Sequence, residues 1–231
     1  MIQVTDLKKQ YKEAVVLDMA RLDIPKSECF GLVGNNGAGK TTLFRIMLDL
    51  VRATEGKVEI DSRDVSKSED WKRTTGAYLD EHMLLSYLTA DEYFQTLRKI
   101  YGLSEADLHL HLGKFTEFFN DEIVGKKKYI RDLSKGNLKK VGIAAALMGN
   151  QEVVFLDEPF ENLDPSSQIR LKKLILQEKE TSQVTFLISS HDLNHVTEIC
   201  DRIVLLEKGK IINDLRDRSA MLAELDAYFT G

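Results

Sequence analysis

Cysteine is nearly absent: Cys29 and Cys200 are the only two in 231 residues. They sit in no metal or redox spacing, so a disulfide scaffold is excluded and two buried, reduced thiols of a cytoplasmic protein are expected. Proline is almost as scarce, at three residues, and no Pro/Gly-rich linker, repeat or low-complexity tract divides the chain. No run approaches the ~18 uninterrupted apolar residues of a membrane span. The opening "MIQVTDLKKQ" lacks the apolar block of a secretory signal. An excess of positive charge is missing too: the net charge is −5, and no nucleic acid is expected as partner. What is present suffices for a full core, with 43% hydrophobic and 30% charged residues, and the chain reads as one domain over 1–231.

The runs "IQVTDL" and "VVLDMARLDI" alternate apolar and polar residues, as half-buried antiparallel strands do. "ECFGLVG" and "GKVEID" read as further strands. "KTTLFRIMLDL" carries Leu43, Ile46, Met47 and Leu50 at helical spacing, predicting one helix through all four. Roughly 84–150 turns helical, with Thr89 and Ser104 as N-caps. "EVVFLD", "QVTFLISS" and "DRIVLLEKGKII" are apolar β-branched runs separated by helical segments near 166–180 and 192–199. Strands alternating with helices predict a parallel sheet covered on both faces. The expected fold class is α/β, with a small antiparallel layer and a helical insert.

Four glycines lie between residues 31 and 39, in "GLVGNNGAGKTT". Each loses backbone entropy on ordering, so the run needs a compensating contact with something small and charged. Gly34, Asn35, Asn36, Gly37, Ala38, Gly39, Lys40 and Thr41 fit G-x-x-x-x-G-K-[ST], with Thr42 following. A strand precedes the motif and a helix follows, as a phosphate-binding P-loop requires. Successive N–H groups can then face one concavity, backed by the helix N-terminus. Lys40 would reach the terminal phosphates and Thr41 would hold Mg²⁺.

A second element follows in "VVFLDEP", residues 153–159. Its apolar residues bury a strand ending in Asp157, a ligand for Mg²⁺, beside Glu158, a general base or water orienter.

With "LSKGNLKK", residues 133–140, the chain resembles the ATP-binding subunit of an ABC transporter over nearly its whole length. The family signature Leu-Ser-Gly-Gly-Gln is matched at Ser134 and Gly136, with Lys135 for a glycine and Asn137 for the glutamine. The resemblance implies a P-loop NTPase core of ABC ATPase type. It also implies that Ser134, Gly136 and Asn137 close on ATP held by a partner subunit. Tyr11 falls where the family stacks an aromatic ring on adenine, and Asp164 in "ENLDP" where a residue contacts the partner's P-loop. His191, after "TFLISS", matches the switch histidine of the γ-phosphate. Glu81 stands at the position of the family's switch-loop glutamine, so Asp157, Glu158 and Glu81 are expected to converge on the metal. Phe160 stands where relatives often have threonine. "HLHLG", at 109–113, is expected on a helix surface.

The implied function is an ATP-hydrolysing subunit that dimerises around two ATP molecules, with itself or a paralogous subunit. It would drive a separate transmembrane permease from the cytoplasmic face, with export slightly favoured. The helical insert would carry the docking surface, and "SAMLAELDAYFTG" is too short for a regulatory domain. A soluble ABC-type factor acting on ribosomes or DNA would be expected in tandem or with long coiled coils. A P-loop small-molecule kinase would need neither "LSKGN" nor "ENLDP", and a non-catalytic nucleotide-binding module would lack Glu158.

Overall fold

The structure is a computed structural model, and residues 1–216 are described below; the tail read at 219–231 lies outside them. Among the described residues, ten strands and seven α-helices follow one another in this order: β1 (Ile2–Tyr11), β2 (Ala14–Ile24), β3 (Cys29–Val33), α1 (Lys40–Met47), β4 (Glu55–Ile60), β5 (Arg63–Asp64), β6 (Thr75–Tyr78), α2 (Ala90–Tyr101), α3 (Glu105–Lys114), α4 (Thr116–Phe119), α5 (Lys135–Ala146), β7 (Val153–Asp157), α6 (Pro165–Ser182), β8 (Thr185–Ser190), α7 (Leu193–Ile199), β9 (Arg202–Glu207) and β10 (Lys210–Leu215).

Two sheets form. One is antiparallel, in the order β2-β1-β4-β5; the other runs β10-β9-β3-β8-β7-β6, parallel from β9 to β6 with β10 turned back on β9. The parallel strands are apolar on both faces, as a doubly covered sheet demands. Their side chains alternate between two cores. Phe30, Leu32, Phe155 and Leu187 join α1 and the antiparallel layer. Val33, Leu156, Phe186 and Ile188 join the helices.

The sequence expectation misses β6, the sheet's edge strand. It also misplaces Leu50: α1 stops at Met47, Asp49 adopts φ +53° and Leu50 is exposed. The segment between β6 and β7 carries α2 to α5. Thr89 and Ser104 each form a reciprocal capping box, with Glu92 and Asp107. Of the two histidines in "HLHLG", His109 is exposed, but His111 is buried against Phe115 and shares a hydrogen bond of 2.9 Å with the Ala144 carbonyl. Burial holds its imidazole below the ordinary histidine range. Cys29 and Cys200 are both buried, with their sulfur atoms 3.7 Å apart.

Two glycines set how closely α5 approaches β6. A methyl group on Gly76 would lie 1.7 Å from the Ala146 carbonyl oxygen, and one on Gly142 would lie 2.1 Å from the Tyr78 ring. No helix among the described residues is long and apolar enough to cross a membrane.

Candidate functional site

Parallel pairing places Val33 beside Ser190 and Asp157 beside Ser189. The loops leaving β3, β7 and β8 therefore open along one edge, at the carboxyl ends of the strands where α/β sheets hold their ligands. After β3 the chain turns through Asn35 to Ala38, closed by an Ala38 N–H bond to the Asn35 carbonyl at 3.0 Å. Gly39 then caps α1 with φ +110°. Gly34 leaves no room for a side chain, since a methyl group there would meet the Leu206 carbonyl oxygen at 2.2 Å. Asn35, Asn36 and Gly37 are exposed, Thr41 and Thr42 half-buried.

Lys40 is buried. Its ammonium donates to the Gly34 carbonyl at 2.6 Å and lies 3.3 Å from Oε1 of Glu158. That oxygen is buried without a hydrogen-bond partner; Lys40 offsets its charge, while its N–H bonding goes to the loop carbonyl. Oε2 of Glu158 faces Nδ1 of His191 at 2.9 Å. Asp157 lies deeper. Thr41 Oγ donates to its Oδ2 at 2.5 Å and Ser189 Oγ to its Oδ1. Burial raises the Asp157 carboxyl above the ordinary aspartate range, and these two donors work against that rise. A hydroxyl and a carboxylate side by side are hard oxygen donors and fit Mg²⁺.

A cleft beside this group is lined by Thr41, Arg45, Asp80, Glu81, Lys135, Lys139, Asp157, Glu158, Glu161 and neighbouring residues. Glu81 sits on its wall, exposed. Among the described residues no three His, Cys, Asp or Glu side chains come together as a metal site, and Glu81 shares with Asp157 and Glu158 only the lining of this cleft. Arg45 instead ties α1 to the neighbouring Asp80 at 3.1 Å.

The remaining predicted residues divide. Tyr11 ends β1 and is 47% exposed, so it is no core tyrosine. Ser134 caps α5, accepting the Asn137 N–H at 3.3 Å, and is exposed. Asn137 spends its amide on Glu122 at 3.0 Å, and Gly136 abuts the Asn162 carbonyl. Asp164 caps α6; Ser166 and Ser167 hydroxyls and the Ser167 N–H all donate to it and hold its carboxyl far below the usual range. Phe160 is buried with its ring 4.6 Å from that of His195. Sequence reasoning passed over Ser189, Arg45 and Lys139; only the last had a signal, a lysine on the apolar side of α5.

The sequence model of the ABC transporter family matches residues 17–161. The chain belongs to the ABC transporter family. It is an ATPase of that family. An uncharacterized ABC transporter ATP-binding protein, YhaQ of Bacillus subtilis, is 35% identical over 91% of this chain and 69% of its own. The lantibiotic transport ATP-binding protein SrtF of Streptococcus pyogenes is 31% identical over 97% of this chain and 95% of its own. Coverage falls to 53% of a longer Synechocystis relative. A solved structure described as the ATP-binding subunit of an ABC transporter superposes with a TM-score of 0.87 at 26% identity, over all of both chains. The loop after β3 and the strand ends bearing Asp157, Glu158 and His191 thus lie together along one edge of the sheet.

Proposed function

We propose that this chain hydrolyses ATP between two ATPase subunits, itself twice or itself with a paralogue, and drives export through a separate membrane-spanning permease on the cytoplasmic face. The observation that carries the reading is the bracketing of one carboxylate: Glu158 lies between Lys40 and His191, beside the Thr41–Asp157 pair.

ATP entering the P-loop draws Lys40 from Glu158 to its terminal phosphates, with N–H groups of residues 34–42 around the chain of phosphates and Tyr11 stacked on adenine. Thr41 and Asp157 would hold Mg²⁺, which supplies charge neutralisation of the phosphate oxygens. Released from Lys40, Oε1 of Glu158 accepts a proton from the attacking water. His191 holds the other carboxylate oxygen and presents its second nitrogen to the γ-phosphate. Ser134, Gly136 and the N–H of Asn137, at the α5 N-terminus, would close on the partner's ATP, with Asp164 beside the partner's P-loop. The lantibiotic transport name of the relative SrtF supports export.

Glu158→Gln keeps the shape of that side chain and removes its capacity to take the proton. The protein is expected to bind Mg-ATP, fail to turn it over and run as a dimer by size-exclusion chromatography with light scattering, reverting to monomer without nucleotide. Ser134→Arg in that background should abolish the dimer. A Glu158→Gln protein that stays monomeric at saturating ATP would count against closure by this chain alone.

A further inference from the structure

We propose that Lys139, on the helix that follows the signature segment, is a positioning residue for Glu158 and ties the orientation of that carboxylate to the seating of α5.

Glu158 has an uncommon backbone. Its φ is +47°, in the left-handed region where a side chain with a Cβ sits at a cost and persists only when its surroundings fix it. Two side chains supply that fixing. The Glu158 N–H donates to Ser189 Oγ at 3.0 Å, and the Glu158 carbonyl accepts Lys139 Nζ at 2.5 Å. Ser189 belongs to β8 and is wholly buried. Lys139 belongs to α5 and is only 8% exposed. The peptide units flanking Glu158 are thus held from opposite sides, one by the sheet and one by the helical segment. Swinging either unit would turn the Glu158 side chain away from Lys40 and His191.

A buried ammonium needs a reason. Burial lowers the pKa of Lys139, while the acidic groups facing it, Glu161 first and then Glu158 and Asp157, act in the opposite sense. Those carboxylates account for a positive charge at this place. The hydrogen bond accounts for its aim: Nζ is on the backbone carbonyl of Glu158 rather than in an ion pair with any of the three. The same helix touches the loop after β7 again at its first turn, where Gly136 abuts the Asn162 carbonyl. Displacement of α5 therefore shifts the carbonyl of the base directly, with no intervening residue.

The inference rests on Glu158 acting as the base, and the experiment separates the two claims. Steady-state hydrolysis of Mg-ATP, binding of a fluorescent ATP analogue and the melting temperature are measured for wild type, Glu158→Gln, Lys139→Met and Lys139→Gln. Methionine keeps the length of the side chain and loses the donor; glutamine keeps a donor on a shorter reach. A lost hydrogen bond to a buried carbonyl should cost about tenfold in kcat or more. The expected result is that fall in Lys139→Met, with nucleotide affinity no weaker than that of wild type, and partial recovery in Lys139→Gln. Unchanged kcat in Lys139→Met overturns the proposal. So does a rise in KM or in the dissociation constant, which would place the ammonium on the nucleotide, or an equal fall in both variants accompanied by a lower melting temperature. If Glu158→Gln hydrolyses ATP at the wild-type rate, the role of Glu158 fails first and Lys139 has no base to position.

Discussion

Lys40 Nζ lies 3.3 Å from Oε1 of Glu158, so the cation at the start of α1 and the carboxylate just after β7 offset each other's charge. Under the proposed function, phosphate competes with that carboxylate for Lys40. Glu158→Gln should therefore bind ATP more tightly than wild type, by roughly three- to tenfold, as loss of one partly buried ion pair allows. Lys40→Ala should weaken binding by about tenfold or more. Titration of both variants with a fluorescent ATP analogue decides it; equal affinity for wild type and Glu158→Gln would mean that the pair does not restrain Lys40.

Metal dependence should separate Asp157 from Glu81. Asp157 shares a hydrogen bond with Thr41, whereas Glu81 sits on the cleft wall outside any three-residue ligand set. Asp157→Asn should raise the Mg²⁺ concentration at half-maximal turnover by about tenfold or more. Glu81→Gln should leave it within about twofold. A large shift in the Glu81 variant would bring that carboxylate back to the metal.

Glycine substitutions should differ sharply by position. A methyl group on Gly76 would strike backbone 1.7 Å away, and one on Gly142 an aromatic ring at 2.1 Å. Either alanine variant should lose about 3 kcal/mol or more of stability, as severe overpacking does. Gly113, in α3, has nothing within 4 Å, so Gly113→Ala should gain about 0.5–1 kcal/mol. Urea unfolding of the three variants measures this order.

Stability should fall as the solution is acidified through His111. Its folded pKa is held below the ordinary 6.5 by burial, so the unfolded chain binds the proton more readily than the folded one. The contribution of a neutral His111 is intact above about pH 6.5 and is lost as pH drops below it toward the depressed folded value. His111→Gln can keep a donor toward Ala144 and does not titrate. Its melting temperature should vary less between pH 7 and pH 5 than that of wild type.

Residues 31–42 and 153–158 were legible because both carry their chemistry in local order: a glycine-rich turn needs no partner to be recognised, and a five-residue apolar strand ending in acids declares its burial. Thr89 and Ser104 were equally plain as caps. β6 was hidden. "TGAY" offers one aromatic and one glycine over four residues, and that glycine makes sense only once the Ala146 carbonyl is known to lie against it. Leu50 kept helical spacing, but the chain had already left the helix at Asp49, whose left-handed backbone no apolar pattern encodes. His111 looked like a surface residue until Phe115 and Ala144 closed over it. The clamp on Glu158 was out of reach for the same reason: Lys139 and Ser189 meet there from elements far apart in the chain.

The tight seating of α5 has a mechanical consequence. Gly136 against Asn162, Gly142 against Tyr78 and Gly76 against Ala146 put backbone directly on backbone or on a rigid ring, with no pliable side chain between. Such contacts have almost no compliance, so a push on the helix is delivered across the joint without backlash. They also leave no travel to absorb an error. Enlarging any of the three glycines would change the rest position of the lever itself, rather than merely loosen its bearing.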